Sequence, residues 1–360
     1  MTDNPIAPPL RRIGLTPAVW QRLAAMIFEG AHPMRVSDVQ RDALHLHDGE
    51  HERPARALPA LLGTLAAQDD ALAVGDWVLA APDAFGDCWV HQRMPPLTQL
   101  ARRLHDGRDK VTRTVIAANV DTALLVMGLD HDFNPRRLER YLALVRLAGI
   151  SALVVLTKAD LCDDVPARLA QVRPLLPPDV DVVALCAIGD EPARALGPWA
   201  DEGRTLVLLG SSGAGKSTLT NALVGHEVQR TGGTRDGDGR GRHTTTARTL
   251  FRLPGGACIV DTPGLRTLRL DGESGDVAGA FDDIARLAPA CRFRDCRHDG
   301  EPGCAVRGAV APERLRNYRK LLREAQRDTL TALQRREQLA VWKQRSRAAR
   351  EVGRHKRGDA

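Results

Sequence analysis

The sequence predicts a multidomain α/β protein with a small amino-terminal β-barrel, a central parallel sheet with crossover helices, and a carboxyl-terminal helical module with a metal cluster. Short apolar segments broken by Gly, Asp and Pro fill residues 35–103, whereas strand-like and helix-like segments alternate from residue 114 onward. Four side chains of types that commonly bind metals lie between residues 291 and 304. The 360 residues are enough for two or three domains, each with its own core.

The composition excludes several classes of protein. A hydrophobic content of 43% and a charged content of 27% are typical of globular domains and exclude wholesale disorder. No run approaches the roughly 18 apolar residues of a membrane span, and residues 1–15 carry no apolar signal core. Seven cysteines, three of them crowded together, favour a reduced compartment over a disulfide framework. We therefore expect a cytoplasmic protein that does not bind membranes.

Positive charge is concentrated near the carboxyl terminus. Residues 311–360 contain fifteen lysines and arginines against six acidic residues, a local charge of +9 in a chain whose net charge is +6. This segment either contacts an anionic partner or forms a solvated helix face, and charge alone does not choose between them. Only six of the 51 basic residues are lysines, so a lysine within a motif indicates chemistry that needs a compact ammonium.

The amino-terminal part divides into an extension and a barrel. Residues 1–31 are interpreted as a variable extension with a short helix from Ala18 to Phe28, and residues 32–108 as the barrel. Short strands at regular spacing are typical of such barrels. The apolar segments predicted as strands are Ala57–Leu65, Val74–Leu79 and Cys88–Gln92.

Residues 112–270 are predicted to form the central domain. Apolar runs alternate here with helical patterns such as Leu138–Leu147, which indicates a mainly parallel sheet with crossover helices. The predicted strands are Val120–Met127, Ala152–Leu156, Val180–Leu185, Leu206–Leu209 and Ala257–Val260.

A phosphate-binding loop follows the fourth of these strands. The chain matches G-x-x-x-x-G-K-[ST] between the strand-like Thr205–Leu209 and the helix-like Leu219–Val224. Its glycines allow backbone N–H groups to converge on phosphate oxygens, and the helix amino terminus adds its dipole. Lys216 is expected to reach the β- and γ-phosphates, and the Ser217 hydroxyl to bind Mg²⁺. The predicted phosphate-site residues are Gly210, Ser211, Ser212, Gly213, Ala214, Gly215, Lys216, Ser217 and Thr218.

The segment DTPG ends the last predicted strand. An Asp at a strand end beside a P-loop can hold the coordination shell of Mg²⁺, so this role is predicted for Asp261. Gly264 is expected to donate its backbone N–H to the γ-phosphate. The distance along the chain from Ser217 leaves room for one switch loop and a strand hairpin.

A base-reading motif follows the strand Ala152–Leu156. It consists of Thr157, Lys158, Ala159 and Asp160, at the sheet edge where α/β proteins bind ligands. The Asp160 carboxylate can accept hydrogen bonds from N1–H and the 2-amino group of guanine, which adenine cannot offer. Lys158 can lie along the base. The motif therefore favours GTP and GDP over adenine nucleotides.

Residues 231–246, between the P-loop and DTPG, are rich in Gly and Arg and are interpreted as a mobile switch loop. Thr245 is favoured as the threonine that closes over Mg²⁺ and the γ-phosphate, with its two neighbouring threonines as alternatives. Leu265 lies where Ras-like enzymes carry a glutamine that orients water. Another group must then help, and His243 is the candidate, although a loop histidine is more often simply solvated.

A Cys₃His set with the pattern C-x4-C-x-H-x5-C lies in residues 271–335, which are predicted to form a zinc-binding domain followed by a basic tail, residues 336–360. Four soft or borderline ligands suit tetrahedral Zn²⁺, and a full complement indicates a structural ion. The predicted zinc ligands are Cys291, Cys296, His298 and Cys304.

The order of the motifs resembles that of the circularly permuted GTPases, because the base-reading motif precedes the P-loop in this chain. The family's Ser-Ala loop, which contacts the base, corresponds here to Cys186 and Ala187. Cys in place of Ser departs from the family pattern, although the contact is largely made by backbone N–H groups.

The set TKAD, GSSGAGKST, GRHTTT, DTPGL and the Cys₃His pattern, with VGDWV and ANVD upstream, resembles the RsgA/YjeQ family over about residues 32–330. The resemblance implies an OB-type barrel, a circularly permuted P-loop GTPase domain and a carboxyl-terminal zinc-binding helical domain. It implies a GTPase that binds ribosomal RNA and assists late maturation of the small ribosomal subunit. The subunit would stimulate hydrolysis, which would be coupled to release. Thr157 stands where the family commonly has Asn.

Two other functions are considered. A permuted GTPase of large-subunit assembly would lack both the barrel and the Cys₃His cluster, so these features argue against it. An RNA-binding placeholder would use the nucleotide only to set its conformation, and hydrolysis assays would separate it from an enzyme. We expect a monomer with one structural Zn²⁺ and with Mg²⁺ bound alongside GTP.

Overall fold

The computed structural model describes residues 8–40, 43–105, 111–229, 248–262 and 281–329. Residues of the chain fall into two compact units, one formed by Met1–Arg102 with Arg113–Asp271 and the other by Arg103–Thr112 with Gly272–Ala360. The predicted basic tail, residues 336–360, lies outside the described residues. No helix in the described ranges is long and apolar enough to span a membrane.

The amino-terminal segment of the first unit is helical and packs into its interior. The side chain of Thr16 accepts a hydrogen bond from the N–H of Val19, and Pro17 occupies the first turn, so the helix begins one residue before the predicted Ala18. It ends before Phe28, and Leu23 on its inner face is fully buried. The helices are α1 (Pro8–Arg11) and α2 (Pro17–Ala24).

Five strands close into the predicted barrel. Their order is β1-β2-β3-β5-β4, and β4 pairs back onto β1 in antiparallel register, with Met34 opposite Val78. Alternate side chains fill the interior, among them Val36, Leu46 and Val90, which are fully buried. The barrel elements are β1 (His32–Val39), β2 (Leu44–His47), β3 (Glu52–Ala57), α3 (Pro59–Ala67), β4 (Trp77–Pro82) and β5 (Cys88–Arg93).

The strand predicted over Ala57–Leu65 is wrong, because most of that run forms α3. Its residues after Pro59 are mainly Ala and Leu, which favour helix, and Pro59 itself is placed in the first helical turn. A short apolar run cannot by itself distinguish a strand from a helix.

Arg35 on β1 is fully buried at the centre of the first unit. Its guanidinium donates to the backbone carbonyls of Ile13, Gly75 and Asn119, at 2.5, 3.2 and 3.2 Å. These carbonyls belong to the amino-terminal segment, to the turn before β4 and to the residues that precede the central sheet. The guanidinium carbon also lies 5.4 Å from the centre of the Trp77 ring. One side chain thus joins three segments that are distant in sequence.

The central sheet has the predicted parallel core. Its strand order is β10-β9-β8-β11-β13-β12; the first five run parallel, and the last pairs antiparallel with β13 to form the expected hairpin. β12 also pairs with β1, Asp38 lying opposite Thr249, so the barrel and this sheet are continuous. A separate two-stranded sheet precedes the central strands along the chain and consists of β6 (Gln99–His105) and β7 (Val111–Ala118). The central strands are β8 (Thr122–Gly128), β9 (Ser151–Thr157), β10 (Asp181–Ala184), β11 (Thr205–Leu209), β12 (Arg248–Arg252) and β13 (Cys258–Asp261).

Helices connect the parallel strands and pack on the sheet. The buried positions inside β8, β9 and β11 are apolar, including Leu124, Leu153 and Leu208, as expected for strands covered on both faces. A buried threonine lies at one end of each strand: Thr122, Thr157 and Thr205. The helices are α4 (Pro135–Leu147), α5 (Val165–Val172), α6 (Glu191–Leu196) and α7 (Lys216–Val224).

The described part of the second unit contains the cysteine-rich segment between two helices. Arg314 donates to both carboxylate oxygens of Asp283, at 2.7 and 2.9 Å, which fixes one helix against the other. Phe281 and Tyr318 pack edge to face with ring centres 5.2 Å apart. The helices are α8 (Asp282–Leu287) and α9 (Pro312–Thr329).

Candidate nucleotide site and metal cluster

The predicted nucleotide motifs meet at one edge of the central sheet. The base-reading motif follows β9, the phosphate-binding loop follows β11, and Asp261 ends β13. These three strands and β8 run parallel, so their carboxyl ends lie at the same edge. Parallel sheets bind ligands at this edge.

The phosphate-binding loop has the backbone that its glycines require. A Cβ on Gly210 would lie 2.3 Å from the carbonyl oxygen of Val126, so only glycine allows the loop to leave β11 this close to β8. Gly213 and Gly215 have φ of +82° and +89°, in the left-handed region that glycine adopts without strain. Gly215 directly precedes α7, whose first turn contains Ser217 and Thr218. Both side chains are partly exposed, and Ser212 is exposed.

Lys216 lies buried inside this loop. Its ammonium donates to the carbonyl oxygens of Gly210 and Ser211, at 3.0 and 2.6 Å. Burial lowers the pKa of Lys216, whereas the nearby carboxylates of Asp261 and Asp132 act in the opposite direction. The lysine is therefore a desolvated cation held by weak neutral acceptors, an arrangement that an anionic ligand would stabilise.

Asp261 is the acidic counterpart of this lysine. It is buried at the end of β13, and burial raises the pKa of its carboxyl group while the charge of Lys216 partly opposes the rise. The hydroxyl of the next residue, Thr262, donates to the carbonyl of Leu208 at 2.7 Å and fastens this strand end to β11. Sequence reasoning missed Thr262, although its place next to Asp261 at a strand end was a usable signal.

Thr157 connects the base-reading motif to the phosphate-binding loop. Its side chain is fully buried, and its hydroxyl donates to the carbonyl of Ala214 at 2.6 Å. A Cβ on Gly215 would lie 3.2 Å from this hydroxyl, so the two segments pack closely. Threonine thus makes a polar link to the loop at the position where the RsgA/YjeQ pattern commonly has Asn.

The rest of this motif is presented at the surface. Lys158 adopts the left-handed conformation, with φ of +60°, and its ammonium lies 2.5 Å from a carboxylate oxygen of Asp130. Ala159–Leu161 form one turn of 3₁₀ helix, which leaves the Asp160 side chain exposed to solvent. Asp160 is therefore accessible to a ligand, whereas Lys158 is held in place.

Cys186 and Ala187 lie next to this motif. The N–H of Ala159 donates to the carbonyl of Leu185 at 3.3 Å, which joins the two loops directly. The backbone N–H of Cys186 donates to the Glu191 carboxylate at 3.1 Å, and Ala187 is buried in the core of the domain. The structure therefore brings both residues to the edge that carries Asp160.

The predicted switch residues lie outside the described part of the chain. These residues are His243 and Thr245 in the loop, and Gly264 and Leu265 after Asp261.

The second unit brings the four predicted metal ligands together. Their donor atoms all lie within 4.8 Å of one another. His298 Nδ1 is 3.6 Å from the sulfur of Cys291 and 3.4 Å from that of Cys304, and these sulfurs are 4.0 Å apart. A tetrahedral ion bound by thiolates and imidazole places its donor atoms roughly 3.4–3.8 Å apart. The cluster, which includes Cys296, fits such an ion.

The loop around the cluster is organised by Glu301. Its carboxylate accepts backbone N–H groups from Arg297, Asp299 and Gly300, at 3.1, 2.9 and 3.1 Å. These hydrogen bonds lower the pKa of Glu301 to about 2. His298 needs this support because it has φ of +56° and is buried. Sequence reasoning missed Glu301, although an acidic residue inside a metal loop could have suggested it.

Comparisons with known proteins agree with this architecture. The model of the RsgA GTPase family matches residues 97–271. A Xylella fastidiosa protein named small ribosomal subunit biogenesis GTPase RsgA is 45% identical, covering 87% of this chain and 92% of its own. The protein of that name from Xanthomonas axonopodis is 43% identical over 90% of this chain and 91% of its own.

Two solved structures have the same fold. YjeQ from Thermotoga maritima superposes with a TM-score of 0.58 at 24% identity, covering 82% of this chain and 98% of its own. YloQ, described as a circularly permuted GTPase, superposes with a TM-score of 0.55 at 22% identity, covering 84% of this chain and 97% of its own.

The fold and the motif order define a circularly permuted P-loop GTPase, with the base-reading motif on an earlier strand than the phosphate-binding loop. The two named relatives match 87% and 90% of this chain at 45% and 43% identity, so they show its family as well as its fold. The chain belongs to the RsgA GTPase family, and the resemblance drawn from its sequence is confirmed. It is a GTP-hydrolysing enzyme that acts in the maturation of the small ribosomal subunit.

Proposed function

We propose that this chain binds the small ribosomal subunit late in its maturation, that the subunit stimulates hydrolysis of GTP, and that hydrolysis is coupled to release. The observation that carries the proposal is the convergence of phosphate-binding, acidic and base-reading motifs at one sheet edge, in a chain 45% identical to a named small-subunit biogenesis GTPase. We further propose that it works as a monomer in the cytoplasm, where its partner is found. The barrel and the Cys₃His cluster argue against a role in large-subunit assembly.

The phosphates of GTP are assigned to the loop after β11. Its backbone N–H groups and the first turn of α7 would surround the β-phosphate, and Lys216 would exchange its two carbonyl acceptors for phosphate oxygens. The backbone N–H of Gly264 would donate to the γ-phosphate. Ser217, Asp261 and Thr245 would hold Mg²⁺, which neutralises charge on the phosphates when bound.

Guanine is assigned to the loops after β9 and β10. The exposed Asp160 carboxylate would accept from N1–H and the 2-amino group of the base, and Lys158 would lie along its face. The backbone of Cys186 and Ala187 would complete the contact from the neighbouring loop.

Asp160→Asn is expected to exchange guanine for xanthine, because the 2-oxo group of xanthine needs a donor where guanine needs an acceptor. We expect GTP affinity to fall about a hundredfold, since two charge-assisted hydrogen bonds are lost. Competition of GTP and xanthosine triphosphate against a fluorescent nucleotide measures both effects. Asp163→Asn, an equally exposed carboxylate three residues along, is the matched control. Unchanged GTP affinity with no gain for the xanthine nucleotide would remove Asp160 from base recognition.

The metal of the second unit is proposed to be one structural Zn²⁺. Three thiolates and one imidazole are a donor set that zinc prefers, and they leave no coordination position open for catalysis. The ion would hold the loop that carries Arg292, Arg294 and Arg297, a basic surface suited to a phosphate backbone.

Cys296→Ser is expected to lose the metal and loosen the second unit while leaving GDP binding intact, because the cluster and the nucleotide motifs belong to different units. Metal analysis should find about one zinc ion per chain in the native protein and far less in the variant. The control is Cys162→Ser, which changes a cysteine of the first unit and should leave the zinc content of the protein unchanged. Full zinc content in Cys296→Ser would exclude this residue as a ligand.

The small subunit is proposed to act on the switch loop. Leu265 cannot orient the attacking water, so an ordered loop would have to close Thr245 over Mg²⁺ and bring His243 near that water. For comparison, the arginine that known activators of GTPases supply to the transition state contributes about 10³–10⁵ in rate.

The experiment that tests the proposed function compares hydrolysis of GTP and ATP with small subunits, large subunits or neither. We expect stimulation only with GTP and small subunits, and weaker stimulation at higher salt because phosphate contacts release counterions. His243→Ala and Thr245→Ala should each lose about tenfold to a hundredfold of the stimulated rate while still binding the subunit. Thr234→Ala, in the same segment, is the control. Equal turnover with large subunits would contradict the proposal.

A further inference from the structure

The loop that follows β8 reaches the nucleotide edge but belongs to none of the motifs described above. It runs from Leu129 to Asn134, between β8 and α4. Its two acidic residues, Asp130 and Asp132, contact the base-reading motif and the phosphate-binding loop respectively. One segment thus touches both halves of the candidate site.

Asp130 is turned back towards the sheet and holds Lys158. One carboxylate oxygen lies 2.5 Å from the Lys158 ammonium, and the other accepts the N–H of Asp132 at 3.0 Å. A Cβ on Gly128 would lie 2.7 Å from this second oxygen, so glycine at the end of β8 leaves space for the carboxylate. Burial alone would raise the pKa of Asp130, but the hydrogen bonds from Lys158 and Asp132 hold it below its usual value.

Asp132 fixes the other end of the loop. Its carboxylate accepts a hydrogen bond from the hydroxyl of Ser211 in the phosphate-binding loop. The other oxygen accepts from Arg137 in the first turn of α4, at 2.6 Å. The guanidinium of Arg168 in α5 also lies 4.7 Å from the centre of the Phe133 ring. With these anchors the loop, and with it Asp130, has a fixed position.

This contact matters for Lys158 because a lysine side chain has several rotatable bonds and loses conformational entropy when it is ordered. If its ammonium were free, the aliphatic stem would adopt many conformations, and placing it against a base would cost part of the binding free energy. An ion pair formed before the ligand arrives removes that cost from the binding step.

We infer that Asp130 is a positioning residue of the guanine nucleotide site, which holds Lys158 ready for the base and thereby prolongs the time that nucleotide stays bound. The inference rests on the proposed function, because it assumes that Lys158 contacts guanine. An alternative role, in which the ion pair only stabilises the fold, predicts a different result in the test below.

The test is a double-mutant cycle on the rate of GDP release, measured by displacing a fluorescent GDP analogue from the full-length protein. Asp130→Ala should release GDP about tenfold faster than the native protein. Lys158→Met keeps an apolar stem without the ammonium, so adding Asp130→Ala to it should change release less than twofold. Asp130→Asn keeps an acceptor at the same place and should restore most of the native rate.

The matched control is Asp70→Ala, which removes a similarly buried carboxylate from an ion pair with Arg93, 2.6 Å long, in the barrel. It should leave GDP release unchanged even if it lowers the melting temperature. Release from Asp130→Ala no faster than from this control would overturn the inference, as would a tenfold effect that persists in Lys158→Met. Failure of the native protein to bind GDP would instead overturn the proposed function and the inference with it.

Discussion

Lys216→Ala is expected to lower kcat/KM for GTP by about a thousandfold, the largest effect of any substitution considered for activity. The ammonium is buried, and among the described residues its hydrogen-bond acceptors are two backbone carbonyls, so most of its desolvation has already taken place before nucleotide binds. A phosphate that replaces the carbonyls gains a strong charge-assisted interaction in a poorly hydrated site. Alanine removes that interaction and also removes the Lys216 charge that opposes the raised pKa of the Asp261 carboxyl group.

Steady-state hydrolysis and equilibrium binding of GTP, with and without small subunits, measure this effect. Lys320→Ala is the control, since it removes another of the six lysines from an exposed position on α9. Intrinsic hydrolysis and GTP affinity should be unchanged in the control. A Lys216→Ala protein that binds GTP as tightly as the native chain would show that the phosphates lie elsewhere.

Arg35→Met is expected to destabilise the first unit by about 3–5 kcal/mol. Methionine fills much of the same space but donates no hydrogen bond, so the buried carbonyls of Ile13 and Asn119 lose the Arg35 donor. The carbonyl of Gly75 loses it too but still accepts from the Asn119 side chain at 3.0 Å. Each unsatisfied buried acceptor costs about 1–3 kcal/mol. The carbonyls of Ile13 and Asn119 come from separate segments, so no small movement of one segment can satisfy both.

Urea unfolding followed by tryptophan fluorescence measures this loss, because Trp77 lies against the Arg35 guanidinium. Arg53→Met is the control: its guanidinium pairs with Asp48 at 2.7 Å but is half exposed, so a change below about 1 kcal/mol is expected. Equal shifts in the two variants would mean that the buried arginine contributes no more than a surface ion pair.

The convergence of the predicted nucleotide motifs at one sheet edge could be predicted from the sequence because each motif is a local pattern at a strand end. The bounds predicted for the parallel strands from apolar runs agree with the observed bounds to within two residues. The P-loop and DTPG motifs each follow the end of one run, at Leu209 and Val260. The metal cluster was equally local, since four ligands lie within one short segment. Parallel strands bring such ends together whatever lies between them.

The features that sequence reasoning missed depend on contacts between distant segments. The residues that Arg35 contacts lie far from it along the chain, and one buried arginine among many exposed ones has no signature in the sequence. Asp130 gave only a weak signal, an acidic residue after a strand end. The strand prediction for Ala57–Leu65 is wrong because a short apolar run is compatible with either a strand or a helix, and packing decides between them.

The pairing of β12 with β1 has a mechanical consequence. A single strand, β12, separates β13, which ends in Asp261, from the first strand of the barrel. Peptide hydrogen bonds across a sheet transmit displacement more directly than a flexible linker does. We therefore expect a displacement of β13 to be transmitted through β12 to the barrel, and a force on the barrel to be transmitted back to the strand that carries Asp261.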